Sequence, residues 1–114
     1  MSQHIFETVH NGHAITILMG WDRPLQYFFL VIEGPDEAFP DVHPDPKEPG
    51  YAYSNWYEPD PFGNSLEHYR QVLVRYGVSV PDRMFMEVRQ DCANCVGNRV
   101  VRYLADGSCT EQVN

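Results

Sequence analysis

Apolar and polar positions alternate from the start of the chain. Ile5, Phe6, Thr8 and Val9 fall in one run, Ala14 to Met19 in a second, and His10-Asn11-Gly12-His13 lies between them. Asn-Gly between two alternating runs predicts a tight hairpin, because both turn residues must take positive φ. Gly20-Trp21-Asp22-Arg23-Pro24 then breaks the pattern. Residues 25–33 follow with Tyr27-Phe28-Phe29-Leu30-Val31-Ile32, an almost continuous apolar run of the kind a strand covered on both faces shows. The first third therefore reads as a three-stranded antiparallel meander.

The period changes to that of a helix after residue 64. Leu66, Tyr69, Val72, Leu73 and Tyr76 share one face, Asn64 stands three residues before Glu67 as in a capping box, and Gly77 follows the last apolar position. A second helix starts at Pro81 and carries Met84, Phe85, Val88, Cys92 and Cys95 at three- and four-residue spacing until Gly97. Residues 98–104 read as a strand, 105–108 as a turn, and 109–113 as a short returning strand or frayed tail. The expected class is α+β: an antiparallel sheet, made of the N-terminal meander plus the C-terminal strand, with two helices packed on one face. The 114 residues fit one domain spanning 1–114.

Residues 35–64 differ in composition from the rest. They hold seven of the nine prolines and the acids Asp36, Glu37, Asp41, Asp45, Glu48, Glu58 and Asp60 against the single Lys47, a net of −6 out of −8 for the whole chain. Proline withholds backbone donors, so this segment reads as a long acidic loop, with Tyr51-Ala52-Tyr53-Ser54-Asn55 as a short edge strand inside it. It also carries Phe39, Tyr51, Tyr53, Trp56, Tyr57 and Phe62, too many aromatics for a disordered linker. Tyr and Trp give rigid contact area with a polar edge, and surrounding carboxylates steer a basic partner.

The charge of −8 repels phosphate backbones and anionic headgroups, which argues against direct nucleic-acid or membrane contact. No apolar run reaches the length of a membrane span and the first residues do not form a secretion signal, so the expected location is the cytoplasm. Cys92-Ala93-Asn94-Cys95 with Cys109 and a histidine would suit zinc. The helical spacing instead makes these thiols packing groups at the C-terminal end of a helix, where the dipole disfavours thiolate. His4, His10, His13, His43 and His68 form no triad or metal-binding spacing, with His10 and His13 read as solvated hairpin residues. No phosphate-cradling glycine pattern occurs, so no cofactor or metal is expected and catalysis is disfavoured.

Met19-Gly20-Trp21-Asp22-Arg23-Pro24-Leu25-Gln26, Phe29-Leu30-Val31-Ile32, Tyr53-Ser54-Asn55 and Val96-Gly97-Asn98-Arg99-Val100-Val101 together resemble a family of small uncharacterised bacterial proteins of mobile genetic elements. The resemblance covers most of the chain and implies a mobile-element role, but no reaction and no catalytic residue.

Three functions follow as expectations. The first is a non-enzymatic acidic module that binds a basic protein surface through Trp21, Asp22, Arg23, Asp36, Glu37, Asp41, Asp45, Tyr53, Trp56, Tyr57, Glu58 and Asp60. If that partner handles nucleic acid, for instance in host defence, the carboxylates would stand in for phosphates, as in anti-CRISPR or antirestriction inhibitors. The second is a small-ligand protein or enzyme with a pocket between Trp21 and the aromatics at 53–57, using Asp22, Arg23 or His43. The third is a homodimer paired through the edge strand at 51–55.

Overall fold

The computed structural model describes residues 1–40 and 50–112. β1 (Ser2–His10) and β2 (His13–Asp22) form the expected hairpin, with Asn11 at φ 51° and Gly12 at φ 78°. Positive φ at both turn positions matches the right-handed twist of the flanking strands. β3 (Tyr27–Glu33) pairs antiparallel with β2, and β4 (Tyr51–Ser54) pairs antiparallel with β3, with a register shift at Ile32/Glu33. A 3-10 turn at Asn55–Tyr57 leads toward α1 (Leu66–Tyr76) and α2 (Asp82–Ala93), and the chain ends in the hairpin of β5 (Arg99–Tyr103) and β6 (Cys109–Gln112).

The class is α+β, but the sheet is mixed rather than antiparallel. Its order is β4-β3-β2-β1-β5-β6, and β5 runs parallel to β1, from Ser2 opposite Arg99 to Phe6 opposite Tyr103. After β4 the chain is at one border of the sheet. It crosses a face as α1 and α2 and rejoins beside β1 running in the same direction, which only a long crossover permits.

The helix termini differ from expectation for local reasons. Ser65, not Asn64, caps α1: its hydroxyl accepts the His68 N–H at 3.1 Å, while Asn64 donates to the Asp60 carbonyl at 2.8 Å. Gly77 closes α1 at φ 73°, and Val78 N–H reaches back to the Leu73 carbonyl at 3.0 Å. α2 stops at Ala93 instead of reaching Gly97. Cys95 takes φ 51° and Val96 N–H bonds the Asp91 carbonyl at 2.9 Å, a left-handed helix stop without glycine. Cys95 is consequently exposed, whereas Cys92 and Cys109 are half-buried. Of the three, Cys109 packs against the core, as a packing group should.

Register assigns the two faces. Phe6, Ile17, Ile32 and Tyr53 stand in one row and Met19 and Leu30 in the next. These pack with Tyr69, Leu73 and Tyr76 of α1 and Met84, Phe85 and Val88 of α2 in one buried core. Both helices thus cover the same face, as expected. Burying each large apolar side chain contributes on the order of 1.5–3 kcal/mol. No helix among the described residues is long and apolar enough to cross a membrane.

Candidate protein-binding surface

The loop after β4 is built by short polar side chains. Ser54 Oγ accepts the Trp56 N–H at 3.2 Å and starts the 3-10 turn. Asn55 is buried and donates its amide to the Pro61 carbonyl at 3.1 Å, so the loop folds back on itself. Asn64 closes the far end through the Asp60 carbonyl. Proline carbonyls keep full acceptor capacity, and the asparagines supply the donors that the prolines lack.

This closure leaves aromatic rings outside. Trp56 is 61% exposed, and its ring meets Phe62 edge-on at 5.1 Å. Phe62, 42% exposed, meets Tyr27 at 4.6 Å. The three rings form a chain anchored in β3, so Trp56 is presented on a fixed base. Beside it, Val31, Tyr51, Ser54, Trp56 and Tyr57 line an open depression of about 290 Å³ on the helix-free face of the sheet.

Glu58 ties the loop to β4 and α1. Its Oε1 accepts the Tyr53 hydroxyl at 2.8 Å and lies 3.1 Å from His68 Nε2. Burial alone would raise the Glu58 carboxyl, but the hydrogen bonds from Tyr53 and His68 outweigh it and hold the carboxyl below its usual range. Burial and the carboxylate together push the Tyr53 phenol well above its ordinary value. Neighbouring Tyr69, whose hydroxyl donates to the Phe28 carbonyl at 3.1 Å, is pushed by burial to about 12.

The sequence-derived contact residues separate into two groups. Trp56, Tyr57, Glu58 and Asp60 come together in the loop, with Trp56 and Asp60 exposed. Glu37 is exposed on a separate 3-10 turn with Asp36, and Asp41, Asp45 and His43 lie outside the described residues. Trp21 and Tyr53 are buried at 3% and 4% and so offer no surface to a partner. Asp22 is turned inward, accepting the Leu25 N–H at 3.1 Å. Arg23 is exposed, its guanidinium resting so close to Gly97 that a Cβ there would meet Cζ at 3.0 Å.

Trp21 and the 53–57 aromatics stand apart along the sheet. Trp21 pairs with Phe28 and Tyr53 with Ile32, four residues apart on β3 and hence roughly 13 Å. At the β4 edge expected to pair with a second copy, the Ala52 carbonyl already accepts the Tyr76 hydroxyl at 3.0 Å. β6 forms the other border of the sheet, with Thr110, Glu111 and Gln112 exposed.

Sequence reasoning missed a polar network in the core. His4 is fully buried, with Nε2 2.6 Å from Asp91 Oδ2 and Nδ1 2.7 Å from the Tyr103 hydroxyl. Arg99 donates to Asp91 Oδ1 at 2.7 Å, to Glu87 at 3.2 Å and to Glu111 at 2.6 Å. Burial opposes the Asp91 charge, yet hydrogen bonds from His4, Arg99 and Ser2 hold its carboxyl below the usual range. Both imidazole nitrogens are engaged inside the protein, so His4 has no free position for a substrate. The network joins β1, α2 and β5 and does structural work. Two signals pointed to it: His4 is two residues from Phe6, on the inward face of β1, and Asp91 is three from Val88 on the apolar face of α2.

His10 also departs from a merely solvated role, since its ring stacks on Phe39 at 5.0 Å. Among the described residues, no three His, Cys, Asp or Glu side chains gather as metal donors. No protein-family model, curated protein or solved structure matches the chain.

Proposed function

We propose that this chain is a non-enzymatic protein-binding module whose contact surface is the aromatic loop after β4 together with the adjoining depression. The observation that carries this reading is Trp56, 61% exposed yet braced by Phe62 and by the Ser54 cap. An exposed tryptophan on a rigid base offers large contact area with little ordering entropy left to lose on binding. Asp60, exposed in the same loop, and the net charge of −8 favour a basic partner. Where that partner handles nucleic acid, carboxylates of this surface would occupy the place of phosphates, and the protein would act as its inhibitor.

Affinity capture from the native cells tests this, with wild type beside a Trp56→Ala/Tyr57→Ala variant at low and raised salt. A basic protein held by wild type alone, and released as salt rises, is the expected result. Equal capture by both proteins would refute the reading.

A further inference from the structure

Both helices lie on one face of the sheet, and among the described residues none covers the other. On that second face Ile5 stands opposite Leu18 and Leu18 opposite Val31, an aliphatic row across β1, β2 and β3, each side chain half-buried. One row toward the first hairpin, Glu7 and Glu33 flank Thr16. One row the other way, Gly20 lies opposite Phe29, whose ring fills the space over the glycine. Val31 also lines the depression beside Trp56, so the row runs into the aromatic surface.

We propose that this face receives an amphipathic helix of the partner protein, laid along β2. Its aliphatic stripe would cover Ile5, Leu18 and Val31, and Lys or Arg on both flanks would meet Glu7 and Glu33. The proposal rests on the binding-module reading and specifies the form of the partner. Strands 4.7–4.9 Å apart place the ends of the row roughly 9.5 Å from each other, close to the width of a helix. The carboxylates lie two residues further along the strands, roughly 6.7 Å, near the 5.4 Å pitch of one helical turn. Arg102 pairs with Glu7 at 3.4 Å in an exposed contact, which an incoming cation can displace with little loss. A second copy of this chain fits less well, since it would bring Glu7 and Glu33 against their own kind.

A displayed library of random 16-residue peptides, selected on wild type and re-measured on Leu18→Lys, Glu33→Lys and Trp56→Ala, tests the proposal. Selected sequences should carry aliphatic residues at three- and four-residue spacing with Lys or Arg on the flanks. Their affinity should fall at least tenfold with Leu18→Lys and severalfold with Glu33→Lys, with circular dichroism showing each variant folded. Peptides sensitive to Trp56→Ala but indifferent to Leu18→Lys would overturn the helix and keep the aromatic surface. Peptides indifferent to both would overturn both readings. Extended proline-rich sequences, or a wild-type dimer dissolved by Leu18→Lys, would also overturn the helix.

Discussion

His4 Nε2 lies 2.6 Å from Asp91 Oδ2, joining the first strand to the second helix across 87 positions of sequence. Arg99 holds the other oxygen of the same carboxylate at 2.7 Å. Asparagine at position 91 would lose the charge and keep one acceptor oxygen, setting an NH2 donor against either His4 or the Arg99 guanidinium in or beside the core. Asp91→Asn should therefore lose roughly 3 kcal/mol of stability, the scale for breaking a buried pair from one side. Urea unfolding measures it, and a loss below about 1 kcal/mol would show that the network contributes little.

Acid should act through the same carboxylate. Asp91 is held below its usual range when folded, so the unfolded chain takes up a proton more readily. The stability it supplies is complete above the ordinary Asp value near ~3.9 and is lost as pH falls through the lower folded value. Glu58 has the same sign. The stability gap between wild type and Asp91→Asn should narrow below about pH 4 in urea titrations. A gap that widens on acidification would contradict the assignment.

Gly20 is required by close approach rather than by φ. A Cβ there would run into the Ser2 carbonyl and come within 2.7 Å of the Phe29 ring. Gly20→Ala should destabilise by about 2 kcal/mol or more, as overpacking does. Thermal unfolding checks this, and an unchanged melting temperature would mean that β1 and β3 yield easily.

Trp56 should behave in the opposite way. With most of its ring in water, Trp56→Ala should shift stability by less than about 1 kcal/mol, the scale of its edge contact with Phe62. Partner affinity should nevertheless fall at least tenfold, as for an interface anchor. Paired unfolding and binding measurements separate the two effects.

Local chemistry made much of the fold legible. Asn11-Gly12 announced the hairpin, Gly77 the end of α1, and the spacing of Leu66, Tyr69, Leu73 and Tyr76 its buried face. What escaped was non-local. Whether β5 pairs with β1 or with another strand depends on where the crossover lands, which no short pattern encodes. Polar His4 and Asp91 hid in apolar positions because each is satisfied by residues far away in sequence. For the binding surface, composition identified the segment but not the direction of each ring. Tyr53 and Trp56, three positions apart, end in the core and in solvent because β4 gives way to the 3-10 turn between them.

Photo-crosslinking in the native cells tests the central claim most directly, with a benzophenone side chain placed at position 51, beside Trp56 in the depression, or, on the exposed side of α2, at Met86. The binding-module account predicts a discrete adduct with a basic protein from position 51 and none from position 86. No adduct from position 51, or the same adducts from both positions, would contradict it.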